Sequence, residues 1–379
     1  MRTLVTTENC LREICKSPSS VWFLLMNKQK NIIISTNSLD NRIDIDSLSF
    51  RLHNKQIKII PQSNIVNQLP QNPTYLEFLS DCIFLLEIPK KKADELSRDY
   101  GICCFSSESK DNPPFLIEEG HFLDTGDPEK EKSWEAFYKG INKNFTSAII
   151  IDRYLFSCEW NKNNGCPDDT IEDCKYNLKS IIDNILPSDI VDNHFVLTII
   201  FNHNGSIKCV KKDDKGKVVK KKYNITDEFG NTIKKIEKIQ YEYYTFEEIV
   251  KIIEKLKTEI YRPFKYDIEV ISVNKECAYY NDTHDRYVIT NFHITTVSHK
   301  LVAFTEDKRY LHQQLLNFYY IYSTGVLDSK SSMPITTKER VLEAMIKLLS
   351  ENENDKIKYA LNGKILEFKK ENIKNKLLK

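Results

Sequence analysis

At 379 residues the chain is longer than one ordinary hydrophobic core organises, so two or three domains are expected. With 41% hydrophobic and 29% charged residues it reads as globular rather than disordered. A formal charge of only +1 argues against coating of nucleic acid by bulk electrostatics, so any such contact must come from a local patch. No run approaches the roughly eighteen apolar residues of a membrane span. The opening MRTLVTTENCLREICKS lacks an apolar signal core, so a cytoplasmic protein is expected. None of the ten cysteines falls in a CxxC pair, which reads as reduced thiols. The composition, rich in Lys, Ile and Asn and poor in Gly, suggests an AT-rich bacterial genome.

Residues 1–125 read as an N-terminal α/β domain. Val21–Leu25, Asn31–Thr36 and Gln56–Ile60 are predicted strands. The apolar run Asp81–Glu87, the helical spacing of Lys91–Tyr100 and the short run Ile102–Phe105 predict a βαβ unit. Ser106–Pro114 reads as a loop and Gly126–Lys132 as a charged linker.

A second domain is expected over residues 133–310. Ala148–Phe156 is a buried strand whose triple isoleucine needs cover on both faces. Thr170 and Asp173 open a helix with an apolar stripe at Leu178, Ile181, Ile182 and Ile185. Phe195–Phe201 is a second buried strand. Thr245 and Glu248 form a capping box for a helix that buries Ile249, Ile252, Ile253, Leu256 and Ile260. Tyr266–Val273, Arg286–Thr290 and Ile294–Val297 complete the order β-α-β-α-β-β-β. That order predicts a mixed sheet with a parallel half, flanked by helices, and an antiparallel end: an α/β fold. An insertion interrupts it at 202–240. Its segment Lys211–Lys222 carries seven lysines against two aspartates, either as a solvated hairpin or as a basic arm along a nucleic-acid backbone.

Residues 311–379 are expected to form a mostly helical C-terminal extension. Leu311–Ile321 and the stretch from Thr336 to Leu349 are its predicted helices, and Ile357–Phe368 is a β-hairpin around Asn362-Gly363. The lysine-rich tail beyond is expected to fray.

The run His284-Asp285-Arg286-Tyr287-Val288-Ile289-Thr290-Asn291 sets a histidine and a guanidinium side by side at a strand end, a pairing suited to a phosphodiester. With the strand order above and the Asp152-Arg153-Tyr154 that closes the first buried strand, this run resembles a single phospholipase-D-like unit. The likeness covers roughly residues 145–305. It is nearest to the divergent His-Asp-Arg branch typified by the phospholipase-D-like C-terminal domain of microtubule-interacting-and-trafficking proteins. Active members of the wider superfamily carry His-x-Lys, four residues and Asp, with Gly-Ser further on. His284 stands for the histidine, Arg286 for the lysine and Asn291 for the aspartate, while Val297-Ser298-His299 falls where Gly-Ser is expected. The resemblance implies His284 as a nucleophile on phosphorus, with a second histidine from a paired unit, hence a homodimer. Asparagine cannot supply the anionic orienter that such a histidine needs.

The readings left open are three. The leading one is a phosphate- or nucleic-acid-binding protein with a degenerate phospholipase-D-like domain, of a style that suggests bacterial antiviral defence or a mobile element. Its binding set is Arg286, His284, Asp152, Arg153, Ser298, Lys211, Lys212, Lys220, Lys221 and Lys222. The second is a dimeric, metal-independent phosphodiesterase or nuclease using His284, Arg286 and Asn291. The third is a scaffold for a protein partner. No cofactor and no metal are expected, because His284, His293 and His299 lack a fourth ligand and Cys158, Cys166 and Cys174 read as ordinary thiols. In the N-terminal region Asp81, Glu87 and Lys90 miss the spacing of metal nucleases.

Overall fold

A five-stranded parallel sheet and a nine-stranded mixed sheet carry the fold, with two short two-stranded ribbons beside them. The computed structural model describes residues 3–29, 31–36, 52, 54–61, 82–100, 103–108, 121–127, 131–141, 146–156, 170–187, 195–203, 207–211, 213, 215, 217, 219–226, 228–229, 232–274, 277, 286–306, 308–311, 314–320, 333–351 and 356–378. Among these residues no helix is long and apolar enough to cross a membrane.

The first sheet is built from β1 (Thr3–Thr7), helices α1 (Glu8–Lys16) and α2 (Val21–Lys28), β2 (Asn31–Thr36), β3 (Gln56–Pro61), β4 (Cys82–Leu86), α3 (Lys90–Tyr100) and β5 (Cys103–Ser106). Its order is β3-β2-β1-β4-β5, with every pairing parallel. The expected βαβ unit is therefore β4-α3-β5. Val21–Leu25, in contrast, is helical and not a strand. Five successive apolar residues carry no period that separates the two states, and Ser20 decides: its Oγ accepts the Phe23 N–H and starts a helix.

The second sheet draws on most of the remaining chain. In order come β6 (His121–Asp124), α4 (Trp134–Phe137), β7 (Ser147–Ile151), α5 (Ile171–Ile185), β8 (Phe195–His203), β9 (Ile207–Val210), β10 (Lys220–Thr226), β11 (Thr232–Ile239), β12 (Tyr241–Tyr244), α6 (Phe246–Glu259), β13 (Tyr266–Asn274), β14 (Arg286–Thr290), β15 (His293–Val297), β16 (Leu315–Tyr320), α7 (Met333–Glu351), β17 (Ile357–Leu361) and β18 (Lys364–Leu366). The strand order is β18-β17-β13-β8-β7-β14-β15-β16-β6. β7, β8 and β13 run parallel, and β14, β15, β16 and β6 form the antiparallel end. Both crossover helices start with the capping boxes read from sequence, Thr170 with Asp173 and Thr245 with Glu248.

Two expectations about the outer segments change and one holds. Leu311–Ile321 is not a helix: β16 alternates outward Leu315 with buried Leu316, Phe318 and Tyr320, the period of a strand with one covered face. β6 pairs with β16, and β17 pairs with β13, so residues on both sides of 133–310 belong to the same sheet. Asn362 and Gly363, at φ 47 and 76, make the expected tight turn of the β17–β18 hairpin.

The C-terminal tail is docked rather than frayed. Glu269 on β13 is wholly buried and accepts hydrogen bonds from Thr198 Oγ1, Tyr359 OH and the Lys374 and Asn375 N–H groups. Asn375 Nδ2 in turn donates to Ala148 O and Thr198 Oγ1, both at 2.9 Å. Leu377 and Leu378 are buried beside it. Lys369, Lys370 and Lys374 are exposed, while the asparagine and leucines hold the tail. Asn375→Ala is expected to lower the unfolding free energy by about 2–3 kcal/mol in urea, because two or more buried acceptors lose their donor. A change below about 0.5 kcal/mol would return the tail to a frayed end.

Candidate functional site

Asp152 directly follows β7 and Arg286 opens β14. The antiparallel register that pairs Tyr287 with Ile151 sets these two residues side by side. Asp152 is wholly buried: its Oδ1 accepts the Tyr154 N–H and its Oδ2 the Leu301 N–H, each at 2.8 Å. The Arg286 Nε lies 3.8 Å from Oδ1, and only 5% of Arg286 is exposed. The Tyr154 ring sits 5.2 Å from that guanidinium and 5.7 Å from that of Arg153. Burial pushes the Asp152 carboxyl up; Arg286, the two N–H donors and the buried Lys300 pull the other way. The sequence suggested that Asp152 and Arg286 each meet a ligand. The structure instead brings them to each other, inside the protein.

The remaining members of the expected site do not converge on this corner. Asn291 lies past the other end of β14, about 17 Å from Arg286 at the rise of an extended strand. Its Oδ1 accepts the Thr146 and Ser147 N–H groups at 3.2 and 3.1 Å, and its carbonyl accepts Lys338 Nζ. Asn291 therefore clasps the start of β7 and cannot orient a group beside Arg286. The nearby His293 is buried against Phe318, and burial, assisted by Lys338, pushes its imidazole down to about 3. Ser298 is exposed, and its Oγ accepts the Leu315 N–H at 3.0 Å, joining β15 to β16. His284 and Lys212 lie outside the described residues. Among the described residues no cluster of His, Cys, Asp and Glu could hold a metal ion, and seven buried cysteines remain thiols.

A groove of about 700 Å³ between α5 and α6 offers no anion site either. Glu135, Glu172, Asp183, Glu259 and Glu306 outnumber Lys175, Lys179 and Lys255 along it.

Among the described residues a dense group of exposed lysines lies on the insertion. β9 and β12 form an antiparallel stem anchored by buried Cys209 and Val210. At its end Lys211, Val219 and Gln240 bond in a ring: Lys211 N to Gln240 O, Val219 N to Lys211 O, and Gln240 N to Val219 O. From this junction a short side loop branches, closed by Asp213, whose Oδ1 accepts the Lys215 and Lys217 N–H groups. β10 and β11 continue outward as a ribbon about 23 Å long. All seven residues of β10 are exposed, and most of β11. Lys221, Tyr223 and Ile225 stand opposite Lys238, Ile236 and Lys234 on one face, with no carboxylate among them. The other face carries Lys220, Lys222, Asn224, Lys235 and Glu237, with Lys222 and Glu237 3.7 Å apart.

Lys211, Lys220, Lys221 and Lys222 are thus exposed as the sequence suggested. The second strand of the ribbon adds Lys234, Lys235 and Lys238, which the lysine-dense segment alone did not point to. Their signal lies in the β-branched, lysine-rich TIKKIEKI of β11. Comparison of the chain with family models, with curated proteins and with solved structures finds no match.

The corner at Arg286 is a stability element on these contacts. Arg286→Ala is expected to cost about 3–5 kcal/mol of unfolding free energy, since it strands a buried carboxylate. In an oligonucleotide titration at several salt concentrations the folded variant should behave as the parent does. A stable Arg286→Ala protein with weakened oligonucleotide binding would show that the guanidinium faces a ligand.

Proposed function

We propose that this protein binds nucleic acid, and that the β10–β11 ribbon is its contact surface. The observation that carries the reading is charge segregation. Residues 211–239 hold ten lysines against five carboxylates, a net +5 in a chain of formal charge +1. The rest of the molecule is therefore net negative and repels a polyanion, which leaves the ribbon as the place where one can approach. Lysine ammoniums on a solvated two-stranded arm neutralise phosphates and release counterions, and that release drives association.

The order β7-α5-β8-α6-β13-β14-β15, parallel then antiparallel, supports the likeness to a phospholipase-D-like unit. The burial of Arg286 and the remote place of Asn291 weigh against the phosphodiesterase chemistry that this likeness carries in its active members. We accordingly read a binding descendant rather than an enzyme. The setting in bacterial defence or a mobile element is part of the same proposal.

Replacing Lys221, Lys234 and Lys238 together with glutamine tests it. The slope of log K against log salt for an oligonucleotide should become shallower by about 2–3, at roughly 0.7–0.9 for each phosphate that is no longer neutralised. Equal slopes for the parent and the triple variant would remove the ribbon from the interface.

A further inference from the structure

The ribbon carries more than charge. Tyr223 is 41% exposed in the middle of the lysine face that holds no carboxylate. The Lys221 ammonium lies 5.7 Å from its ring centroid and the Lys238 ammonium 5.6 Å, one from each strand. Between β10 and β11 Phe229 is 82% exposed, and Ile225 on β10 and Ile233 on β11 are 42% and 67% exposed. Hydration of two aromatic rings and two isoleucines is unfavourable, and none of them contributes to the buried core. A protein that needed only to hold phosphate would place its lysines among threonines and asparagines, as the opposite face of the ribbon does at Asn224 and Thr226.

We propose that the ribbon takes single-stranded nucleic acid, with unpaired bases stacking on Tyr223 and Phe229 while the lysines hold the backbone. This rests on the nucleic-acid reading above and names its substrate class. In a duplex the faces of the bases are covered by their neighbours, so rings on a ribbon gain little from it. An unpaired strand offers every base face, and stacking on an aromatic ring tolerates any sequence. The phosphates supply the second half of the fit. They draw the Lys221 and Lys238 ammoniums toward the backbone and leave the Tyr223 ring to a base. Charge decides the occupant: the same face, at three lysines and no carboxylate, suits a polyanion carrying flat apolar groups.

Three ligands separate stacking from charge: a single-stranded oligonucleotide, the same length of abasic strand, and the corresponding duplex, each titrated with the full chain at several salt concentrations. The expected order puts the ordinary strand tightest. Tyr223→Ala and Phe229→Ala should each weaken it about 5- to 150-fold, the range for removing one base–aromatic stack. Both should leave the abasic strand and the salt slope unaffected, and Tyr223→Phe should bind as the parent does. Equal affinity for all three ligands, with the alanine variants indifferent, would overturn the stacking proposal while leaving a phosphate-binding ribbon intact. Binding to none of the three would remove the parent reading and this one with it.

Discussion

Burial of the β7-β8-β13 ladder on both faces is the constraint from which the rest of the molecule follows. Ile149, Ile150, Leu197, Ile199, Ile200 and Ile271 are all fully covered, so any polar side chain entering this region must be satisfied by the protein itself. Glu269 meets that demand with four donors, two of them from the C-terminal tail. Asp152 meets it with two backbone N–H groups and the Arg286 guanidinium. Asn177 does the same on the helical side, its Oδ1 accepting from Trp134 Nε1 and from the Ala303 and Phe304 N–H groups. A buried charge held this way adds specificity of register more than net stability, because its desolvation offsets much of the attraction.

The same constraint sorts the polar groups of the chain. Groups that read as reactive in the chain, Asp152, Arg286, Asn291 and His293, are the ones drawn inward and consumed by the fold. Groups that read as solvent-facing lysines are the ones left available. The insertion between β8 and α6 leaves the nine-stranded sheet on a stem whose Cys209 and Val210 still belong to the core. A surface on such a ribbon can vary with little effect on packing, since among the described residues beyond the stem only the partly buried Ile239 packs against the core.

Much of the architecture was legible in the sequence because it is written in local patterns. The isoleucine runs of β7 and β8, the stripe of α5 and the two capping boxes each name their element within a dozen residues. Most of what escaped, the Ser20-capped helix at Val21–Leu25 apart, depends on partners far away in the chain. Whether Leu315–Tyr320 is a strand is settled by β6 and β15 on either side of it, nearly two hundred residues distant in one case. The Asp152–Arg286 pair depends on register between β7 and β14, separated by more than one hundred and thirty positions. A motif of three residues could not reveal that its arginine was already committed. The tail misled for a different reason: its composition is that of a solvated end, and one asparagine reaching three acceptors outweighs it.

If the ribbon is the contact surface, taking it away must abolish binding, and the molecule permits a clean excision. Val210 and Tyr241 are paired across the stem, so an Asn-Gly turn can join them directly and close the hairpin without residues 211–240. The shortened protein should unfold within about 1 kcal/mol of the parent in urea, since among the described residues the removed segment gives the core only the partly buried Ile239. Its affinity for nucleic acid at low salt should vanish. Retained affinity with the parent's salt dependence would contradict the assignment and move the interface elsewhere on the molecule.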